Sequence, residues 1–255
     1  MKQKKLIIGN WKMNPTSLNE AKKIFTNIRR IASKTSKVQT IICPPFVYLN
    51  DLQKLVTGPR CVLGSQNIFW QFQGAYTGEI SPAMISDLDI KYVILGHSKR
   101  RELGETNEEI NQKVKLCFKY NLIPIVCVGE NKRSGSIKYF DFIKKQLIES
   151  LQGISKNQIK KIVVTYEPIW AIGKEAEREA TPEEATEMSI FIRKVLSDIF
   201  DLKSISQLQV LYGGSVDCQN AEGFLNQQGI NGLLLGRVSL ISDKFNEVLK
   251  IAQNL

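Results

Sequence analysis

The chain carries one histidine among its 255 residues, and His97 stands where an all-apolar run stops: Tyr92-Val93-Ile94-Leu95-Gly96-His97-Ser98. A second run, Lys161-Ile162-Val163-Val164-Thr165-Tyr166-Glu167-Pro168, delivers a carboxylate in the same way. Each reads as a buried strand, with apolar or β-branched residues in succession. An imidazole and a carboxylate at two strand ends make an acid and a base if the fold brings those ends together. Taken alone, the two slightly favour a blander account, a structural histidine and a helix-start carboxylate.

What decides between the accounts is the set of elements around them. The sequence repeats one phrase: a short β-rich run, a polar or glycine-bearing turn, then a helix with apolar residues every three or four positions. Strands are expected at Lys5 to Asn10, Val38 to Cys43, Cys61 to Ser65, the histidine run, Leu122 to Val128, a run ending at Glu167, Gln209 to Tyr212 and Gly232 to Leu235. Between them, capping boxes are expected at Ser17/Glu20, Thr106/Glu109 and Thr181/Glu184, the last with Pro182 at the first helical position. The helix after the fifth strand should line up Ile137, Phe140, Ile143, Leu147 and Leu151. Eight strand-helix units in a chain of 255 residues fit an α/β protein of the (β/α)₈ barrel class, one parallel eight-stranded barrel spanning residues 1–255 as a single domain. An open doubly wound sheet usually needs fewer strands per domain. No Gly-x-Gly-x-x-Gly follows the first strand and no P-loop pattern occurs, so dinucleotide and nucleoside-triphosphate readings lose support.

Composition narrows the setting. With 43% apolar residues the chain can bury a large core. Its basic N-terminus is followed by only Leu6-Ile7-Ile8 before Gly9 and Asn10, short of the ~7–15 apolar residues of a signal peptide. No run approaches the ~20 residues of a membrane span, so a cytoplasmic protein without membrane contact is expected. Five cysteines without a Cys-x-x-Cys pair, beside one histidine, argue for reduced thiols and against a metal cage. The net charge of +10 is compatible with nucleic acid or with an anionic substrate. Its lysines and arginines are scattered and alternate with polar residues, which favours solvated surface, and no nucleic-acid partner is expected.

In a closed parallel barrel all strands end on one face. Asn10, Lys12, His97 and Glu167 lie at or just beyond strand ends, and so do Gly173, Gly213-Gly214-Ser215 and Gly236. Glycines after strands seven and eight let main-chain N–H groups approach an anion.

At these residues the chain closely resembles the triosephosphate isomerase family from end to end. The matching segments are Gly9-Asn10-Trp11-Lys12-Met13-Asn14, Gln66-Asn67, Gly74 to Pro82, Gly96-His97-Ser98 with Arg100-Arg101, Cys127 to Glu130, Tyr166 to Gly173 and Tyr212 to Val216. The resemblance implies cofactor-free interconversion of dihydroxyacetone phosphate and glyceraldehyde 3-phosphate. It also implies Glu167 as the base, His97 as the electrophile, Lys12 as positive charge beside phosphate and enediolate, and Asn10 as a holder of substrate oxygens. Gly173, Ser215 and Gly236 would present N–H groups to the phosphate. A neutral imidazole at a helix start and a water-excluding lid are likewise properties of that family, not deductions from this sequence. Thr77 would reach into a partner subunit's pocket, so the resemblance implies a homodimer, with Met13, Gln66 and Tyr76 near the contact. The apolar residues Ile68, Phe69, Trp70 and Phe72 in the same loop point the same way.

Three departures stand out. Lys99 replaces the family's glutamate. If it faces Lys12 at about 7 Å, with an effective dielectric of about 20, the repulsion is roughly 2 kcal/mol; if it turns to solvent, only a partner is lost. The stretch 174–180 is longer than the family's lid and rich in helix formers. Arg237 follows Gly236 where the family has glycine, and its guanidinium either assists phosphate binding, pairs elsewhere or crowds the loop. These departures leave a second reading open, a catalytically weakened isomerase-like barrel that serves as a binding scaffold.

Overall fold

The computed structural model of the chain describes residues 3–133, 138–173, 176 and 178–255. Among them, β1 (Lys5–Asn10), β2 (Val38–Cys43), β3 (Cys61–Ser65), β4 (Tyr92–Leu95), β5 (Ile123–Val128), β6 (Val163–Tyr166), β7 (Gln209–Tyr212) and β8 (Gly232–Leu235) form a closed barrel in sequence order. Every pairing is parallel, and β8 returns to β1 with Leu6 opposite Gly232.

The helices outside it begin with α1 (Leu18–Ala32), α2 (Phe46–Gln53), α3 (Pro82–Asp87), α4 (Ser98–Glu102) and α5 (Asn107–Lys119). They continue with α6 (Lys138–Ser150), α7 (Lys156–Ile159), α8 (Pro182–Phe200), α9 (Leu202–Ile205), α10 (Ala221–Leu225) and α11 (Ser242–Asn254).

Strand side chains alternate between two faces, and both faces are buried, which is why the strands read as unbroken apolar runs. In β1, Leu6 and Ile8 join Ile41, Ile94, Ile125, Leu211 and Leu234 in one cluster inside the barrel. Ile7 faces the other way and packs with Phe25 and Phe245 in the layer between strands and helices.

β1, β2, β3, β7 and β8 have the expected bounds; β4 stops at Leu95, two residues before His97, β6 starts at Val163 rather than Lys161, and two further ends differ. β5 starts at Ile123 because the Leu122 N–H donates to Cys117 O at 2.7 Å and so completes α5. β6 ends at Tyr166, and Glu167 is the first residue beyond it. Pro124 sits in the second position of β5, near the strand start where proline is tolerated. The Thr106/Glu109 and Thr181/Glu184 boxes are reciprocal. At Ser17 the side chain accepts from Glu20 N at 3.3 Å, which is half of the expected box. Of the stripe expected on α6, Ile143 and Leu147 are buried and Leu151 follows the helix as a core residue; Ile137 lies outside the described residues. In the stretch 174–180, Lys174, Glu175 and Glu177 lie outside them too, and the described residues of that stretch are not helical. No described helix is long and apolar enough to cross a membrane.

Candidate active site

Asn10 is the last residue of β1, and its Oδ1 accepts from Lys12 N at 3.0 Å. That bond helps hold Lys12 at φ 54°, a left-handed conformation unusual for a residue with a side chain. From the far side, Gln66 Nε2 donates to Lys12 O at 2.8 Å and to Cys43 O at 2.9 Å. The ammonium reaches Gly236: a methyl added there would lie 3.8 Å from Lys12 Nζ. Burial lowers the Lys12 pKa; Glu167 opposes that, and Lys99 and Arg237 reinforce it.

His97 is the N-cap of α4, and its Nδ1 accepts from Lys99 N at 3.1 Å. A ring nitrogen that accepts carries no proton, so the neutral imidazole bears its hydrogen on Nε2. Burial pushes the pKa of His97 down, with Glu167 opposing and Lys12 adding to the depression. Glu167 comes from the end of β6 and is 2% exposed. Its Oε1 lies 3.3 Å from His97 Nε2, and its Oε2 accepts from Ser98 N at 2.9 Å. Cys127, inside the barrel beside it, has its thiol pKa raised first by burial and then by Glu167.

These groups open onto one cleft of about 450 Å³. Asn10, Lys12, His97, Glu167, Gly173, Ser215, Gly236 and Arg237 all line it. Gly173 has φ 90°, a conformation that favours glycine. Ser215 Oγ donates to Ala171 O at 2.8 Å, tying the loop after β7 to the segment after β6. Arg237 is exposed on the rim and makes no ion pair among the described residues.

Of the two courses open to Lys99, the structure has the outward one. Its Nζ pairs with Glu102 Oε2 at 2.8 Å, and the side chain is 65% exposed. Thr77 and Tyr76 lie away from the cleft on the exposed loop after β3, and Met13 is 90% exposed. The apolar content of that loop divides: Ile68 and Phe69 are buried within the chain's own core, while Phe72 and Tyr76 remain 42% and 46% exposed. The apolar content that argued against a plain surface loop is thus partly turned inward, at Ile68 and Phe69.

The supporting roles of several residues were not foreseen. Arg101 donates to Gly96 O at 2.8 Å and Cys127 O at 3.2 Å, bracing the turn that carries His97. The carboxylate of Glu105 accepts from Gly96 N at 3.1 Å and pairs with buried Lys113, whose Nζ also donates to Asn67 at 3.0 Å. Glu130 accepts from Tyr166 Oη and Trp170 Nε1, both at 2.8 Å, and its carbonyl accepts from Ile169 N at 3.0 Å. Burial raises the Glu130 pKa, partly offset by those two side-chain donors. A buried charge has no hydropathy signal that separates it from a surface one, which is why these roles escaped.

Relatives of known name match this chain along its length. The sequence model of a family described as triosephosphate isomerase covers residues 5–252. A triosephosphate isomerase of Dictyoglomus thermophilum is 42% identical over 250 residues, which is 97% of this chain and 99% of that one. Those of Caldanaerobacter subterraneus subsp. tengcongensis and Fusobacterium nucleatum are 38% and 40% identical, over 96% of this chain and 98% and 97% of theirs. With a closed (β/α)₈ barrel whose strand ends gather imidazole, carboxylate and ammonium in one cleft, this chain belongs to the triosephosphate isomerase family.

Proposed function

We propose that this protein interconverts dihydroxyacetone phosphate and D-glyceraldehyde 3-phosphate by proton transfer. The single observation that carries the reading is the 3.3 Å approach of His97 Nε2 to Glu167 Oε1 at the wall of a cleft that Lys12 also enters. Glu167 takes a proton from the carbon next to the carbonyl; the C–H electrons form the enediol double bond while the carbonyl pair moves onto oxygen. His97 donates its Nε2 proton to the new oxyanion and takes the neighbouring hydroxyl's proton in its place, so that the O–H electron pair becomes the new carbonyl while the carboxyl returns its proton to the former carbonyl carbon. To reach the substrate, the carboxylate exchanges its bond to Ser98 N for the C–H. The new oxyanion has Lys12 for charge and Nε2–H as donor; removing one such donor typically costs ~10²–10³ in rate. Asn10 shapes the Lys12 turn and faces the substrate oxygens.

The phosphate sits at Gly173, Ser215 and Gly236, with Arg237 on the rim as a further cation. The active reading gains over the scaffold reading from the pairing of Lys99 with Glu102, which turns the ammonium outward and leaves it only a weaker influence on Lys12. The working unit is a homodimer, formed through Thr77, Tyr76, Met13 and the side of Gln66. The protein acts in the cytoplasm, a setting that its free cysteines suit. Incorporation of solvent deuterium into the carbon-bound positions of either triose phosphate tests the proton-transfer chemistry. Label entering only in the presence of enzyme supports it, and unlabelled substrate after prolonged incubation contradicts it.

A further inference from the structure

Gln146 projects from the inner face of α6, where its neighbours Ile143, Leu147 and Ser150 are buried. It is itself 4% exposed. Its amide grips a single residue at two points: Oε1 accepts from Gly129 N at 2.9 Å, and Nε2 donates to Gly129 O at 3.2 Å. Gly129 is the first residue past β5, so a side chain supplies the donor and acceptor that a neighbouring strand supplies elsewhere.

The Cα face of Gly129 rests on the backbone of Glu167. A β-carbon at position 129 would stand 1.8 Å from Glu167 O and 3.2 Å from Glu167 Cα, so no side chain fits between them. The residues on either side hold the same segment: Val128 O accepts from Glu167 N at 2.8 Å, and Glu130 O accepts from Ile169 N at 3.0 Å. Three consecutive residues thus form the wall behind the backbone that carries the carboxylate, and its middle member is pinned from outside by one amide. Gln146 is not among the residues that line the cleft.

We infer that Gln146 is a positioning residue for Glu167, fixing through Gly129 where the carboxylate meets substrate. The inference rests on the reading of Glu167 as the base. Small misplacements of such a group are costly, because the reacting atoms must approach within about 3–3.5 Å in line. Ser215 and Gly236 lie past β7 and β8, and Gly173 lies beyond the last wall contact at Ile169, so substrate binding should change less than turnover.

The test is steady-state isomerisation of glyceraldehyde 3-phosphate by the full-length protein and its Gln146→Leu and Gln146→Glu variants across the pH range. Q146L is expected to lose about 10- to 100-fold in kcat with KM changed by less than about twofold. In Q146E, the protonated carboxyl both donates to Gly129 O and accepts from Gly129 N, whereas the ionised form only accepts. Its kcat relative to the unaltered protein should therefore be highest at the acid end and fall as that carboxyl ionises. If Q146L does not fold, this ratio alone decides. A lower folded fraction with unchanged kcat per folded molecule, or a Q146E ratio flat with pH, would overturn the inference in favour of a merely structural amide. No turnover by the unaltered protein would overturn the functional reading and this inference together; normal turnover by all three proteins would overturn this inference alone.

Discussion

His97 and Glu167 face each other across 3.3 Å, and the remaining polar atom of each is held by the first turn of the same short helix. Lys99 N–H occupies His97 Nδ1, and Ser98 N–H occupies Glu167 Oε2. The N-terminus of α4 therefore sets the tautomer of the imidazole and the resting place of the carboxylate at once.

Because the chain has one histidine, a ¹⁵N imidazole spectrum reports on His97 alone. The neutral Nε2–H tautomer is expected at pH 7, with protonation only below the ordinary pKa of about 6.5. The sign follows from the depression: buried neutral, the ring contributes stability above its unfolded pKa, and that contribution is lost as pH falls through the lower folded value. Since Glu167 opposes the depression, Glu167→Gln should move the titration lower still. An Nδ1–H tautomer, or titration at or above the ordinary value, would contradict the geometry.

Lys99→Glu should raise kcat/KM, because Lys99 adds to the depression of the Lys12 pKa. The lysine is exposed and already paired with Glu102, so solvent screens most of the direct repulsion. A gain of about two- to fivefold at low salt, shrinking as salt is added, is expected. An equal or lower rate at low ionic strength counts against the electrostatic account.

Lys113→Met leaves Glu105 buried without its closest partner, though Arg100 Nε remains 3.5 Å away. Breaking a buried pair on one side costs about 3–5 kcal/mol. Urea denaturation should show a loss of that order, with weakened activity because Glu105 also holds Gly96 N beside His97. A midpoint unchanged from the parent protein would show that the pair contributes nothing to the fold.

The barrel was legible because its strands are buried on both faces and stop at polar, glycine or proline residues: β1, β2, β3, β7 and β8 run over the bounds read from sequence. What escaped had physical reasons. Ser81 caps α3 and Pro82 opens it, yet six residues are too few to establish a helical period. Lys113 and Gln146 occupy inward positions on α5 and α6, where their sequence neighbours give no sign that a charge or an amide is buried. The cleft residues were legible as strand-end groups, but the order in which main-chain N–H groups hold them was not, since every residue except proline carries that donor.

A dimer is expected in sedimentation velocity, because Met13, Phe72, Tyr76 and Met84 all present apolar surface. Tyr76→Asp should shift the protein toward monomer and lower turnover with it. A parent protein that sediments as a monomer with full activity would remove the partner subunit from the account.

The most direct measurement compares turnover of glyceraldehyde 3-phosphate by the protein and by its Glu167→Gln variant. The amide keeps the shape of the carboxylate and can still accept from Ser98 N, but it cannot take a proton. The account predicts brisk turnover by the parent and a loss on the order of 10³-fold or more in kcat, with KM little changed. A variant that retains activity within about tenfold of the parent, or a parent with no turnover, would contradict it.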